Sequence, residues 1–143
     1  MGNVLPRKNL AKIMAQHGMP YVATACAAFP FDFIAKLRKA ASIEGPKFID
    51  LLTPCIPGWG IADDSGIDVG KKLVDSGIWP LYEIENKKVT ISLEPKMIPV
   101  EDALMMQTRF KHLSKEQIAD IQSAVNKEWD LIRQDKFWES EEY

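Results

Sequence analysis

The stretch YVATACAAFPFDFIAKLRKAASIEGPKFIDLL, residues 21–52, decides the fold class of this chain. Residues 21–25 are apolar or small, as in a buried strand, and residues 48–52 repeat that pattern. Between them, Pro30 suits the first turn of a helix that ends before Gly45. The apolar stripe of this helix consists of Phe33, Ile34, Leu37 and Ala41. A strand, a helix and a second strand in this order predict a parallel β-α-β unit and therefore an α/β fold.

Helix and strand patterns continue on both sides of this unit. The helical face before it is formed by Leu10, Ile13 and Met14. After it, a cap at Asp64 or Ser65 begins a helix that Gly77 ends. Residues 80–84 and 89–93 flank a polar turn and are expected to form an antiparallel hairpin at the edge of the sheet. We therefore expect a mainly parallel sheet flanked by helices, with one antiparallel hairpin.

The last third of the chain predicts a C-terminal extension, residues 95–143, beside an α/β domain of residues 1–94. After Pro95 and Pro99 the pattern is irregular up to Phe110. Ser114 then forms a capping box with Gln117, which is the clearest helix start in the sequence. The apolar stripe of this helix consists of Ile118, Ile121, Val125, Trp129 and Ile132. A long C-terminal helix is expected up to about residue 133.

Composition and charge exclude several classes of protein. The 143 residues carry a formal net charge of -2, and their Lys and Arg are scattered among acids, so no nucleic-acid partner is expected. No apolar run approaches the roughly 20 residues that a membrane helix needs, so no membrane partner is expected. Residues 1–7 lack the apolar core of a signal peptide. These observations predict a cytoplasmic protein.

Cys55 is the residue most suited to chemistry. It follows the predicted strand at residues 48–52, and ligands of open α/β sheets bind at that end of the strands. Pro54 and Pro57 restrict the backbone around it and would hold a thiolate in one place, which favours metal ligation. The alternative is that this cysteine is a small buried hydrophobic residue, which is the more common situation for a free cysteine.

The number of possible ligands limits what the chain can hold alone. A four-iron cluster takes four cysteine thiolates, whereas this chain has Cys26 and Cys55 and no C-x-x-C pair. His17 and His112 add none of the close spacing of structural zinc sites, and nothing beside either histidine indicates a thiol nucleophile. Cys26 lies among small residues and is interpreted as a packing residue. The less favoured alternative is that these small residues let a backbone or a cofactor approach closely. The glycines form no phosphate-binding motif.

Several strings in collinear order resemble one family. HGMPYVATA at residues 17–25 is similar to the HGIPYVAT passage of pyruvate synthase beta subunits. Further strings similar to that family are FPFDFI at residues 29–34, PCIPGW at 54–59, WPLYEI at 79–84 and RFKHL at 109–113. Nearly the whole chain thus resembles the C-terminal half of the beta subunit of a thiamin-diphosphate-dependent 2-oxoacid:ferredoxin oxidoreductase of the pyruvate synthase type.

The resemblance implies a partial thiamin-diphosphate-binding fold and a role in oxidative decarboxylation of a 2-oxoacid to acyl-CoA and carbon dioxide. It implies that Cys55 is the fourth, sequence-distant ligand of a four-iron cluster shared with the N-terminal half of the subunit. Thiamin diphosphate and magnesium would be held by the complete enzyme and not by this chain alone, since no G-D-G element occurs here. The implied partners are that N-terminal half, the alpha and gamma/delta subunits, ferredoxin and coenzyme A.

Two questions stay open at this point. Pyruvate is the default substrate of this motif set, but branched-chain 2-oxoacid and oxalate enzymes share the architecture. The alternative function is a non-catalytic binding or assembly module that retains the α/β shell. No catalytic residue is assigned to this chain under either interpretation.

Overall fold

Helices and strands alternate along residues 8–134 and 136–139, the part of the chain that the computed structural model describes. In chain order they are α1 (Leu10–Gln16), β1 (Tyr21–Cys26), α2 (Pro30–Ser42), β2 (Lys47–Leu52), α3 (Ile56–Trp59), α4 (Gly66–Asp75), β3 (Leu81–Glu85), β4 (Lys88–Leu93), α5 (Val100–Leu104) and α6 (Lys115–Arg133). Short 3-10 turns occupy Thr108–Phe110 and Phe137–Glu139. Residues 1–7, on which the expectation about a signal peptide depends, lie outside the described part.

The four strands form one sheet in the order β2-β1-β3-β4. β1 and β2 are parallel, with Tyr21 opposite Lys47 and Cys26 opposite Leu52. β3 is antiparallel to both β1 and β4. The α/β class, the antiparallel hairpin at an edge and the long C-terminal helix are confirmed. The expectation of a mainly parallel sheet was wrong, because β1 and β2 are the one parallel pair among these strands.

The direction of β3 follows from the position of α4. A Cβ atom at Gly70 of α4 would lie 2.9 Å from the Cβ of Ala28 and 3.3 Å from the Sγ of Cys26, so this helix packs closely at the carboxyl end of β1. Trp79, just before β3, donates its Nε1–H to the Ala25 carbonyl at 2.9 Å. The chain therefore enters β3 beside the end of β1 and runs back along it, which makes the pair antiparallel.

Side-chain hydrogen bonds join β1 and β3 beyond the end of their backbone pairing. The register between them ends at Ala23, and beyond it the Thr24 hydroxyl donates to the Pro80 carbonyl at 2.6 Å and accepts from the Tyr82 amide at 3.0 Å. The buried Lys36 ammonium donates to the Thr24 carbonyl at 2.8 Å. Burial lowers the pKa of Lys36, and an ion pair with Asp32 at 2.7 Å opposes that shift.

Local signals placed the hairpin and α6 correctly. Asn86 and Lys87 both have positive φ, 50° and 66°, as a two-residue hairpin turn requires. Ser114 and Gln117 form the predicted capping box. Val125, Trp129 and Ile132 are the buried residues of α6, as its predicted stripe requires. The irregular segment expected after Pro99 instead contains α5 and a 3-10 turn.

The main core lies on one face of the sheet, beneath α1 and α6. Its buried members are Ala11, Ala15, Val22, Tyr82, Ile84, Val100, Leu104, Val125, Trp129, Ile132 and Phe137. A second cluster joins α4 to the ends of β1 and β3, and a small third one lies under α2. Within the described residues, no helix is both long and apolar enough to cross a lipid bilayer.

The predicted buried stripe of α2 is largely exposed. Ile34 is 42% exposed and Leu37 44%, whereas Lys36 and Ala40 are the buried residues of this helix. In α1 only Leu10 of the predicted face is exposed, whereas Ile13 and Met14 are half-buried. The buried residues of this helix are Ala11, Lys12 and Ala15. Periodicity identified an apolar stripe in both helices. It did not show which side of each helix the sheet would cover.

Candidate functional site

Cys55 lies where the sequence placed it, three residues beyond the carboxyl end of β2. Its side chain is exposed. The segment after β2 contains one helical turn, α3, with Cys55 at its N-cap. The Cys55 carbonyl accepts from the Trp59 amide at 2.9 Å. Because Pro57 occupies the first turn of α3, the backbone next to the sulfur is held in one conformation.

Gly58 leaves the space that the Cys55 sulfur occupies. A Cβ atom at Gly58 would lie 2.9 Å from the Cys55 Sγ and 3.6 Å from its Cβ. A sulfur atom cannot approach carbon so closely without one of them moving. The glycine therefore lets the sulfur lie over the first turn of α3 and remain open to solvent.

Gly60 connects this turn by hydrogen bonds to Thr108, which is distant in the sequence. Its carbonyl accepts from the Thr108 amide at 3.2 Å and from the Thr108 hydroxyl at 2.8 Å. Gly60 has φ +62°, and a Cβ atom there would lie 2.7 Å from the Thr108 Cβ. Both the backbone conformation and the close contact require glycine. The Cys55 turn and residues 107–110 consequently form one unit.

Arg109 brings a positive charge to this unit. Its guanidinium carbon lies 3.9 Å from the centre of the Trp59 ring and 4.5 Å from that of Phe110. Gln107 orients the guanidinium, because its Oε1 accepts from Arg109 Nε at 3.0 Å and from Nη2 at 2.7 Å. Gln107 is itself fully buried and donates to the Ala103 carbonyl at 2.9 Å.

Electrostatics connect this cation with the sulfur. Burial lowers the pKa of Arg109 from its ordinary value, and the charge of Cys55 opposes that shift. A guanidinium with so high an ordinary pKa stays protonated at neutral pH. The site therefore combines an exposed thiol, an oriented cation and an aromatic ring. An exposed sulfur beside a cation is open to ligands and reagents, unlike a buried, inert thiol.

The second cysteine is kept apart from this site. Cys26 is fully buried, and burial raises the pKa of its thiol, which confirms its interpretation as a packing residue. His17 is the C-cap of α1, and His112 precedes the cap of α6. Among residues 8–134 and 136–139, no group of three or more His, Cys, Asp or Glu side chains could hold a metal ion.

Cys55 fits an iron-sulfur cluster as one ligand of four. Its sulfur is exposed in the space left by Gly58, as a shared ligand must be. Cys26 cannot join it, because that thiol points into the core cluster under α4. The remaining thiolates of a four-iron cluster must therefore come from outside the described residues.

A cleft of about 270 Å³ at the carboxyl ends of β1 and β2 was missed from the sequence. Its lining residues are Ala27, Ala28, Thr53, Pro54, Asp63, Asp64, Gly66 and Ile67. This is the side of an open α/β sheet where ligands bind. The small residues directly after β1 were the one sequence signal for it. The two aspartates come from the loop before α4, which no pattern connects with β1.

The chain is similar to several known proteins along most of its length. It is 48% identical over 132 residues to pyruvate synthase subunit PorB of Methanocaldococcus jannaschii, which covers 92% of this chain and 44% of that protein. It is 41% identical over 132 residues to ketoisovalerate oxidoreductase subunit VorB of Pyrococcus furiosus, covering 89% and 42%. It is 36% identical over 137 residues to pyruvate synthase subunit PorB of Thermotoga maritima, covering 92% and 42%. No protein-family model matches the chain.

These similarities confirm the resemblance that the sequence motifs indicated. The chain spans less than half the length of the relatives it matches, between 42% and 44% for the three proteins above. The relatives are named as subunits. Over the portion that it spans, the chain is similar to the PorB subunits of pyruvate synthases and to the VorB subunit of a ketoisovalerate oxidoreductase.

Proposed function

We propose that this chain forms part of the beta subunit of a 2-oxoacid:ferredoxin oxidoreductase, which decarboxylates a 2-oxoacid to acyl-CoA and carbon dioxide. The observation that carries this proposal is the 48% identity with a pyruvate synthase subunit over 92% of the chain. Pyruvate is the first candidate substrate for the same reason. The 41% identity with a ketoisovalerate oxidoreductase subunit supports branched-chain 2-oxoacids as the second.

The proposed enzyme is completed by other chains or segments. The remaining part of the beta subunit would supply the other cluster ligands and the site for thiamin diphosphate and magnesium. Alpha and gamma/delta subunits, ferredoxin and coenzyme A are the further proposed partners, and the cytoplasm is the proposed location. What supports this assembly is that the chain covers 44% of the M. jannaschii relative and carries a single exposed cysteine among the residues described.

The role proposed for the described residues is to hold and shield one corner of an iron-sulfur cluster. When bound, thiamin diphosphate supplies the decarboxylation chemistry and the cluster accepts electrons one at a time. Cys55 would donate its thiolate to one iron. Arg109, stacked on Trp59 at 3.9 Å, would place positive charge near that sulfur. The Trp59 ring would limit the access of water, and both effects influence reduction potential.

The test is to co-produce the chain with the remaining part of the subunit and to measure iron, acid-labile sulfide and thiamin diphosphate in the purified assembly. We expect Cys55→Ala to lose the four-iron cluster, because one of its four ligands is removed. Cys26→Ala is the matched control. It also removes one thiol, but that thiol is buried, so iron content should be retained.

Two outcomes would contradict the proposal. Full iron and sulfide in the Cys55→Ala assembly would remove the ligand assignment. A well-folded, monomeric chain that binds neither the remaining part of the subunit nor iron would favour the non-catalytic binding module instead.

A further inference from the structure

One edge of the sheet has the character of an interior strand. β2 is the edge strand with the sequence KFIDLL, and its residues 48–52 are all half-buried. Strands that are covered on both faces of a parallel sheet have such nearly continuous apolar sequences. The opposite edge, β4, is different, because exposed residues such as Lys88, Thr90 and Ser92 alternate along it with half-buried ones. β4 thus alternates like a solvent-facing edge, whereas β2 carries four apolar residues beside Lys47 and Asp50.

α2 carries an exposed apolar stripe on the same side. Phe31 is 88% exposed, Ile34 42% and Leu37 44%. Large apolar side chains that cluster in this way mark interaction surfaces more often than isolated ones do.

The ion pairs of α2 show which way this stripe points. The Lys39 ammonium forms ion pairs with Glu83 at 2.7 Å and with Glu85 at 2.9 Å. The side of α2 that carries Lys39 therefore lies over β3. Successive helical residues are about 100° apart, which places Leu37 roughly 160° around the helix from Lys39. By the same spacing Ile34 lies roughly 140° and Phe31 about 80° from Lys39. Leu37 and Ile34 therefore lie on the side of α2 away from β3, which is the side of β2, because β2 and β3 flank β1.

The outer edge of β2 together with Ile34 and Leu37 is called here the β2–α2 surface. Among the described residues no strand covers the outer edge of β2, so a further strand could pair with that edge, and a helix over the added strand would cover Ile34 and Leu37. This is the same layered arrangement that β1, α2 and β2 already form. An α/β domain that contains further strands and helices adds them in this arrangement.

We propose that the remaining part of the beta subunit docks on the β2–α2 surface, adding a strand to the edge of β2 and a helix against the stripe of α2. This inference rests on the proposed function. More than half of the M. jannaschii relative lies outside the portion that this chain spans, since the match covers 44% of it. A segment of that length is enough to supply several strand–helix units.

Co-production with the remaining part of the subunit, with a purification tag on that part, tests the docking surface. Leu37→Lys places a charge in the stripe and is expected to reduce the co-purified chain at least about tenfold. Leu93→Lys is the matched control, because Leu93 is 36% exposed at the edge formed by β4. It should co-purify like the wild type. Hydrogen exchange of the β2 amides should slow in the assembly, and that of β4 should not.

Several results would overturn the proposal. They are equal losses in both variants, protection of β4 in place of β2, or no assembly at all. If the chain alone dimerises and Leu37→Lys dissociates the dimer, the surface belongs to a second copy. Circular dichroism of each variant establishes that the exposed substitutions leave the fold intact.

Iron content separates this proposal from the proposed function. An assembly that is sensitive to Leu37→Lys but holds no cluster would contradict the function and leave the docking surface standing. A cluster that assembles normally in the Leu37→Lys variant would contradict the docking surface and leave the function standing.

Discussion

At the scale of single residues, the position of the Cys55 sulfur depends on neighbours that carry no reactive group. Gly58 provides its space, and Gly60 anchors the turn to Thr108. Gln107 contributes from a greater distance in sequence by orienting Arg109. The surroundings of the thiol therefore depend on the backbone and on an amide side chain as well as on the cysteine itself.

Gly58→Ala is expected to displace the sulfur without unfolding the chain. Alanine favours helix more than glycine does by about 1 kcal/mol, so α3 itself should tolerate the change. The added methyl group would meet the Cys55 sulfur at 2.9 Å and force it aside. Iron content of the co-produced assembly should fall, while the thermal midpoint of the isolated chain should change little.

Gly66→Ala is the control for that substitution. The methyl group added there would meet the far end of Ile56 at 2.9 Å, which is a flexible side chain that can move. Iron content should remain close to that of the wild type. Equal iron loading in the two alanine variants would show that Gly58 has no special role for the sulfur.

The buried Tyr21 is expected to make the folded chain less stable at alkaline pH. The side chain is fully buried, and its hydroxyl donates to Glu83 at 3.0 Å. Burial, followed by the charge of Glu83, raises the pKa of Tyr21 well above its ordinary value. Since an unfolded tyrosine titrates near pH 10, the unfolded state binds fewer protons than the folded state above that pH. The free energy of unfolding should therefore fall as the pH rises past about 10.

Tyr21→Phe measures that contribution. Below about pH 9 the variant should be less stable by about 1 kcal/mol, because it lacks the hydrogen bond to Glu83. Above pH 10 its free energy of unfolding should decline less steeply than that of the wild type, by up to about 1.4 kcal/mol per pH unit. Urea titrations between pH 7 and 11 measure both. Parallel curves for the two proteins would show that Tyr21 does not titrate differently on folding.

The sequence located one member of this site and missed the others for a physical reason. Cys55 could be found because strand ends and prolines are local signals. Gln107 and Arg109 could not, because more than 50 residues separate them from Cys55 and no periodicity connects the two segments. The string RFKHL, which begins at Arg109, contributed only to the family resemblance and not to the prediction of the site. The cleft beside β2 was missed for the same reason, since its aspartates come from a separate loop.

At the scale of helices and strands, elements with local start signals were predicted best. α6 begins at the predicted capping box, and the β3–β4 hairpin turns at the predicted residues. The direction of β3 and the buried side of α2 depend on which layers pack together, and local patterns contain no information on that. Under our docking proposal, the stripe of α2 is exposed for a further reason. The layer that would cover it belongs to the remaining part of the beta subunit.

Ser114→Ala should weaken α6. The Ser114 hydroxyl accepts from the Gln117 amide at 3.3 Å, and the Gln117 side chain accepts from the Ser114 amide at 2.9 Å. Loss of such an N-cap costs about 1 kcal/mol. Ser123→Ala, at an exposed position inside the same helix, should be neutral or slightly stabilising, because alanine favours helix. Equal destabilisation of the two variants in urea titrations would show that the cap contributes nothing specific.

At the scale of the whole molecule, the segment expected as an extension is built into the main core. Trp129 of α6 donates its indole N–H to the Gly77 carbonyl at 2.9 Å, and a Cβ atom at Gly77 would lie 2.5 Å from that nitrogen. Val125 and Trp129 share one core with Val22 and Tyr82 of the sheet. The division into residues 1–94 and 95–143 stays a prediction, and the way the chain unfolds can test it.

We expect the chain to unfold in one cooperative transition, because the core that α6 covers is also the core of the sheet. Far-ultraviolet circular dichroism and tryptophan fluorescence should then give coincident curves in urea. Trp129→Ala should cost about 3–5 kcal/mol, a large part of the stability of a typical domain. Because the loss falls on the shared core, hydrogen exchange should accelerate in the β3–β4 hairpin as much as in α6. If α6 alone loses protection and the sheet keeps its own transition, residues 95–143 are a separable extension and the two segments fold independently.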